Sequence, residues 1–131
     1  MTFIPEKTFT IFNTHFPLGK THRMETAEFI KHIKCNSSCY FIVGDMNTFY
    51  DDGGQDMIDI IESNPNNKQI DILPDEPTFS SFPHDRIQAT SRLDHIIASG
   101  DYILESVKIY NNKDYVNRPS DHFLCEITIN I

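Results

Sequence analysis

The chain has 131 residues, of which 39% are hydrophobic and 23% are charged, proportions that suit one ordinary globular domain. Its 11 basic and 19 acidic residues give a formal net charge of −8, which disfavours a long nucleic-acid partner but suits a divalent cation. No apolar run approaches the roughly 20 residues of a membrane span, and the first residues lack the apolar core of a signal peptide. We therefore expect a cytoplasmic protein without a membrane span, an expectation that a signal on an upstream segment would change.

The three cysteines, Cys35, Cys39 and Cys125, form an odd and sparse set. Such a set does not make a disulfide framework. Cys35 and Cys39 are close in sequence, but no second cysteine pair follows them, so the spacing does not predict a zinc site.

The first third of the chain predicts a strand, a helix and a second strand. Residues 8–15 alternate as a strand does, and one of its faces carries Phe9, Ile11, Asn13 and His15. Residues 22–34 show the spacing of an amphipathic helix, for which Thr21 is the expected N-cap. The continuous apolar run at 39–44 predicts a strand that is buried on both faces. This order of elements is the unit that makes a crossover between neighbouring strands.

The remainder of the chain predicts one more helix and several strands. A short helix is expected at 55–62, and the aromatic pair within 78–82 is expected on a loop. The polar stretch 84–90 is expected to be mobile. The predicted strands cover residues 70–73, 92–98, 107–110 and 123–129. Together these elements predict an α/β fold, with one mixed β-sheet flanked by helices, as a single domain over 1–131.

Polar residues recur at the ends of the predicted strands, which composition does not explain. They are Asn13, His15, Asp45, Asn47, Asp94, Asp121 and His122. Asp94 or Asp121 could orient His122 or His15, and an oriented histidine can donate to a phosphoryl oxygen or transfer a proton. Carboxylates suit Mg²⁺ and Mn²⁺. The alternatives are structural: Asp45 with Asn47 as a polar turn after a strand, and Ser120-Asp121-His122 as a strand-opening cap.

Four motifs resemble the endonuclease/exonuclease/phosphatase superfamily, which has the DNase I-like fold. They occur in that family's order and are Asn13-Thr14-His15, Gly44-Asp45-Met46-Asn47, Ser91-Arg92-Leu93-Asp94-His95-Ile96 and Ser120-Asp121-His122. Arg23 and Thr78-Phe79 also look like the family. The resemblance implies a Mg²⁺- or Mn²⁺-dependent hydrolase that acts on phosphate esters by direct water attack.

The resemblance also implies a role for each residue. Asp45 would position or deprotonate the attacking water, and Asn47 would orient that water and contact the phosphate. His122 would hydrogen-bond the phosphoryl oxygens, while Asp94 would hold its tautomer. Asn13 and His15 would bind the phosphate, and His15 would alternatively act as the general acid. Asp121 and Asp45 would bind the metal.

Part of the family pattern is missing from this sequence. Nothing matches the family's first strand with its asparagine, or the following strand that ends in Gln-Glu and supplies a metal ligand. The chain is therefore expected to be the C-terminal half of the four-layer fold, completed by a second chain, a second copy or an upstream segment. An apolar sheet face is then expected to be exposed. It would carry either Phe123, Ile127 and Ile129 or the side chains of opposite parity on the neighbouring strands.

Two other interpretations stay open. The chain is either an inactive truncated or split half-domain that acts as an interaction module, or a small α/β binding domain unrelated to phosphate. In the second case His15, Asp45, Asp94 and His122 would lie more than about 12 Å apart, too far for one site. The sequence does not name the substrate, because DNA, RNA, inositol phosphates, sphingomyelin and small nucleotides are all hydrolysed on this fold.

Overall fold

The computed structural model describes residues 6–80, 90–111 and 120–131. Within these residues, two helices and one 3₁₀ turn, Tyr50–Asp52, accompany eight strands. The elements are β1 (Phe9–His15), α1 (Lys20–Lys31), β2 (Cys39–Asp45), α2 (Gly54–Glu62), β3 (Ile70–Asp71), β4 (Phe79–Ser80), β5 (Thr90–Ser91), β6 (Asp94–Gly100), β7 (Ile103–Ile109) and β8 (Cys125–Asn130). Neither helix is long and apolar enough to cross a membrane, as far as the described residues go.

The main sheet has four strands in the order β1-β2-β6-β3. β1 and β2 are parallel neighbours connected through α1, as the predicted crossover requires. β6 runs antiparallel to both β2 and β3, so the sheet is mixed, which confirms the predicted fold class. β7 and β8 form a separate antiparallel hairpin, and β4 pairs with β5.

Each face of the main sheet is buried by a different layer, because alternate residues of a strand point to opposite sides. One face packs Tyr40, Ile42 and Ile97 against α1 and α2. The other face packs Phe41 and Ile96 against the β7–β8 hairpin and against Phe123, which lies just before β8. β2 is buried from both sides, which confirms the interpretation of its continuous apolar run.

The hairpin decides which apolar side chains stay exposed. Phe123 is buried, and Ile127 and Ile129 are partly buried against the sheet, so they do not form the expected exposed face. The most exposed apolar side chains of the main sheet lie instead on β1, where Phe9 is 53% and Ile11 is 58% exposed. The expectation that Phe123, Ile127 and Ile129 form the exposed face is therefore wrong, and the exposed pair belongs to the edge strand β1.

Several local predictions need correction. Helix α1 begins earlier than expected, with Gly19 rather than Thr21 at its N-cap, and it ends at Lys31. Phe79 belongs to the short strand β4, which pairs with β5, rather than to a loop. The predicted mobile stretch at 84–90 lies outside the described residues except for Thr90.

Candidate active site

Three of the predicted site residues lie side by side on the main sheet. The strand register pairs His15 of β1 with Asp45 of β2, and Asp45 with Asp94 of β6. Residues that are directly paired across a sheet point to the same face. The three side chains therefore form one row at the end of the sheet, on the face that the hairpin covers.

His122 reaches this row from the segment that precedes β8. An isolated backbone bridge pairs it with Phe79, and the two rings meet edge to face with centroids 5.2 Å apart. Nδ1 of His122 lies 2.7 Å from Oδ2 of Asp94, and since a carboxylate only accepts, this nitrogen donates the hydrogen bond. Nε2 of the same ring points to Asp45, 3.5 Å from its Oδ2.

Asp45 lies between two imidazoles. Its Oδ2 atom is 3.5 Å from Nε2 of His15 and 3.5 Å from Nε2 of His122. The His15 side chain is 76% exposed, whereas that of Asp45 is 20% exposed. Such proximity rules out the arrangement expected of an unrelated binding domain, in which these groups would be far apart.

Burial lowers the pKa of His122, but the surrounding carboxylates outweigh it and the pKa is raised above its ordinary value of 6.5. The largest raising contributions are the hydrogen bond and the negative charge of Asp94. Asp45 and Asp121 add smaller contributions in the same direction. The site therefore favours a protonated imidazole, in which both ring nitrogens donate.

Asn47 fixes the loop that follows β2. It adopts the left-handed conformation with φ of 48°, which asparagine tolerates better than most residues. Its backbone N–H donates to Oδ1 of Asp45 at 2.9 Å, and its side-chain amide donates to the carbonyl of Phe16 at 2.6 Å. Asn47 is thus buried and holds both the Asp45 carboxylate and the end of β1.

Asn13 and Asp121 lie next to this cluster rather than within it. Asn13 is exposed on β1, on the same face as His15 and two residues before it. The Asp121 carbonyl accepts a hydrogen bond from the amide of Ser80, and its negative charge acts on His122. The three closest potential metal ligands in the described part of the chain are Asp45, Asp94 and His122, whose ligand atoms all lie within 4.8 Å of one another.

The donor chemistry of this cluster fits a hard divalent cation in part. Carboxylate oxygens are ligands that Mg²⁺ and Mn²⁺ prefer, whereas imidazole is more typical of zinc or copper. The Nδ1 atom of His122 is already bonded to Asp94, which suits the ring for donation rather than ligation. Mg²⁺ takes six oxygen ligands, so the two carboxylates would supply only part of its shell.

A second polar network, which the sequence interpretation missed, supports β6 from the opposite face. Nδ1 of His95 lies 2.6 Å from Asp71, and Nε2 lies 2.6 Å from the hydroxyl of Thr48. Arg92 also donates to Asp71 at 2.6 Å. His95 is buried and is therefore a structural histidine. The sequence signal for this burial was the strand alternation. His95 points away from Asp94 and shares its face of β6 with the apolar Ile97.

A further ion pair fixes the acidic loop after β2. The guanidinium of Arg23 is 1% exposed and pairs with the Asp52 carboxylate, while it also donates to the Leu18 carbonyl. Asp52 therefore has a buried cationic partner and is not a fully solvated loop carboxylate. The pair anchors the loop from Asn47 onwards against α1.

Comparison with known proteins agrees with this arrangement. Residues 4–122 match the model of the Endonuclease/Exonuclease/phosphatase family. The solved mannosyl-6-phosphatase of Bacteroides thetaiotaomicron VPI-5482 superposes with a TM-score of 0.64 at 20% identity, over 92% of this chain and 51% of that one. An endonuclease/exonuclease/phosphatase family protein of Bacteroides thetaiotaomicron gives 0.60 at 20% identity, over 91% and 47%. No curated protein matches. The chain thus spans about half the length of these two structures.

Proposed function

The chain belongs to the endonuclease/exonuclease/phosphatase family, and we propose that it supplies one side of a metal-dependent phosphoesterase site. The observation that carries this proposal is the cluster of Asp45, Asp94 and His122, with an imidazole held between two carboxylates. Phosphoryl transfer needs positioning and neutralisation of oxygen charge more than covalent chemistry by the protein. A carboxylate and an oriented imidazole in contact meet both needs.

Asp45 and His122 have complementary tasks in this proposal. Asp45 positions and deprotonates the water that attacks phosphorus, because its carboxylate is held by the amide of Asn47 and remains accessible to solvent. His122 donates from Nε2 to a phosphoryl oxygen, since Nδ1 is committed to Asp94. Asp94 keeps that tautomer in place and stabilises the charged ring.

The outer residues would contact the substrate. His15 is exposed beside Asp45 and would bind a phosphate oxygen or protonate the leaving group. Asn13 lies on the same face of β1 and would support this contact. Asn47 would orient the water from the side of the β2 loop, although its amide donates to Phe16 in the free protein.

A divalent cation, Mg²⁺ or Mn²⁺, would be held by the carboxylates of Asp45 and Asp121. When bound, it would neutralise the negative charge that builds up on the phosphate oxygens. Few protein ligands on this chain imply weak binding, which further ligands from outside it would strengthen. We propose that these come from a second chain, a second copy or an additional segment, since the two matched structures are about twice as long.

The substrate class is a phosphate ester. The family membership and the mannosyl-6-phosphatase fold neighbour support this class. The net charge of −8 makes a small ester a better substrate than a long nucleic acid.

A second function is favoured by the exposed face of β1. Phe9 and Ile11 are more than half exposed on the edge strand of the main sheet, where a partner could bury them. In this alternative the chain is an inactive half-domain that acts as an interaction module.

Hydrolysis of generic phosphate esters tests the first function. Bis(4-nitrophenyl) phosphate and 4-nitrophenyl phosphate are offered with Mg²⁺ or with chelator, to the unmodified chain and to Asp45→Ala and His122→Ala. The exposed Asp75, at 98%, provides the control variant Asp75→Ala. Turnover should require the metal and fall by about 10²–10⁴-fold in both site variants. Turnover that survives both substitutions, or that ignores chelator, would sink the assignment.

Light scattering and a metal titration separate the two functions. A monodisperse monomer with no turnover and no affinity for Mg²⁺ supports the interaction module. Weak Mg²⁺ binding that is lost in Asp45→Ala supports the phosphoesterase site.

A further inference from the structure

We propose that Thr78 is the positioning residue that holds Asp94 and His122 at hydrogen-bonding distance from each other. Its importance for hydrolysis rests on the function proposed above, whereas its effect on the Asp94–His122 contact does not. The inference comes from four hydrogen bonds that converge on this one residue from the two segments carrying the pair.

The hydroxyl of Thr78 holds the Asp94 side of the pair. Thr78 is completely buried, and its Oγ1 atom accepts hydrogen bonds from the amides of Leu93 and Asp94, each at 2.9 Å. The Thr78 amide also donates to the carbonyl of Ser91 at 3.0 Å. The start of β6 is therefore fixed to this side chain, and the direction of the Asp94 side chain is fixed with it.

The backbone of Thr78 and its neighbours holds the His122 side. The carbonyl of Thr78 accepts a hydrogen bond of 2.7 Å from the amide of Phe123, which directly follows His122. Phe79, the next residue, forms the isolated bridge with His122 and packs against its ring. The segment 78–80 thus contacts both the start of β6, which carries Asp94, and the segment before β8, which carries His122.

No strand ladder of the described residues joins β6 to β8, because these strands belong to separate sheets. Asp94 and His122 are 28 positions apart, and their contact of 2.7 Å depends on how the two segments are held together. Thr78 is bonded to both segments. Without its hydroxyl, the buried amide of Leu93 and the partly buried amide of Asp94 lose their acceptor, and the start of β6 is free to shift.

The substitution Thr78→Val tests this role, because valine is close in shape but has no hydroxyl. NMR of the imidazole ring reports the hydrogen bond directly, since the Nδ1 proton of His122 gives a downfield resonance that exchanges slowly while the bond is intact. We expect Thr78→Val to lose this resonance and Thr78→Ser, which keeps the hydroxyl, to retain it. Thr10→Val is the control, because the Thr10 hydroxyl contacts Ser37 near the other end of the sheet.

An unchanged resonance in folded Thr78→Val, or its loss in Thr78→Ser, would overturn the proposal. If Thr78→Val does not fold, the serine variant still decides, because it removes only a methyl group. Loss of the resonance in the Thr10→Val control would also contradict a specific role for Thr78.

Kinetics give the second readout. With active protein, Thr78→Val should lower kcat by about 10- to 100-fold, as loss of a partner behind a catalytic group usually does, with KM little changed and kcat restored in Thr78→Ser. A drop in kcat without a change in the His122 resonance would contradict the proposal. Absence of hydrolysis by the unmodified chain would count against the proposed function alone, because the NMR readout needs no turnover.

Discussion

At the residue scale, the carboxylates around His122 favour the protonated form of its imidazole, which donates hydrogen bonds. Burial disfavours its charged form, yet the contact with Asp94 and the nearby charges of Asp45 and Asp121 raise its pKa. Nδ1 faces Asp94 at 2.7 Å and Nε2 faces Asp45 at 3.5 Å, so a protonated ring would direct one N–H to each carboxylate. The same arrangement that would stabilise phosphate charge therefore has a measurable signature in the free protein.

Replacing Asp94 with asparagine should lower the pKa of His122, because the charge and the strongest acceptor are both removed. NMR titration of the His122 ring in both proteins measures this change in pKa. A His122 pKa that is equal in the two proteins would contradict the assigned contact.

The raised pKa also fixes the sign of a pH effect on stability. A group whose folded-state pKa is raised stabilises the fold below its unfolded pKa, here 6.5, and loses that contribution as the pH rises through the folded value. Asp94→Asn should therefore reduce the free energy of unfolding more at about pH 5.5 than at about pH 8.5. Urea denaturation at both values measures this, and an equal reduction at both would contradict it.

Gly44 shows at the element scale why the site row is possible. It has φ of +149°, and a Cβ at this position would collide with the Thr14 carbonyl on the neighbouring strand β1. Only glycine lets β1 and β2 approach closely in the register that sets His15 beside Asp45.

Gly44→Ala should therefore destabilise the protein by of order 1–3 kcal/mol, the usual cost of forcing a side chain into such backbone, or by more where the strands must separate. The denaturation midpoint in urea measures this loss. Gly19→Ala is a matched control, because its added Cβ meets only a side-chain atom of His22 at 3.5 Å. Equal midpoints for the two variants would show that the close approach at Gly44 is not required.

Asp71 links β3 to β6 through two partners, the buried His95 and the partly exposed Arg92. Asp71→Ala leaves both without their carboxylate, and we expect a loss of about 3–5 kcal/mol in the free energy of unfolding. Asp75→Ala removes an exposed carboxylate 4.0 Å from the same arginine and should cost less than about 0.5 kcal/mol. Similar losses in the two variants would contradict the importance of the buried network.

The local elements were largely predictable, and the contacts between distant segments were not. Periodicity identified β1, α1 and β6, and a continuous apolar run identified β2, which is buried on both faces. The resemblance of four motifs brought Asp45, Asp94 and His122 together as candidates. The His95–Asp71 pair and the Thr78 hydrogen bonds join residues 13 to 45 positions apart, and no local pattern encodes such pairing. The N-cap of α1 was missed because glycine, without a side-chain acceptor, takes that position.

At the scale of the whole molecule, the site lies beside a surface that is unusually apolar. Phe9 and Ile11 follow each other along β1 on the same face as His15, and the hairpin leaves them exposed. The missing ligands of the proposed metal site would come from whatever covers this surface.

The double substitution Phe9→Lys and Ile11→Lys should reduce concentration-dependent association, because it replaces two exposed apolar side chains by charges. Sedimentation velocity over a range of protein concentrations measures it. The control is the double substitution Leu18→Lys and Phe29→Lys, which adds the same charge away from the β1 surface. These two residues are 75% and 76% exposed, and their substitution should have less effect. Equal association of both double variants would contradict a specific role for the β1 surface.

The most direct test of the site as a whole is binding of inorganic phosphate to this chain in the presence of Mg²⁺, because this ion is the product of phosphomonoester hydrolysis and an analogue of the phosphate group of a diester. NMR titration should show saturable, metal-dependent shifts centred on Asp45, Asp94 and His122, which Asp45→Ala and His122→Ala abolish and Asp75→Ala retains. Shifts that are absent, independent of Mg²⁺, or unchanged in both site variants would contradict a phosphate site on this face of the sheet.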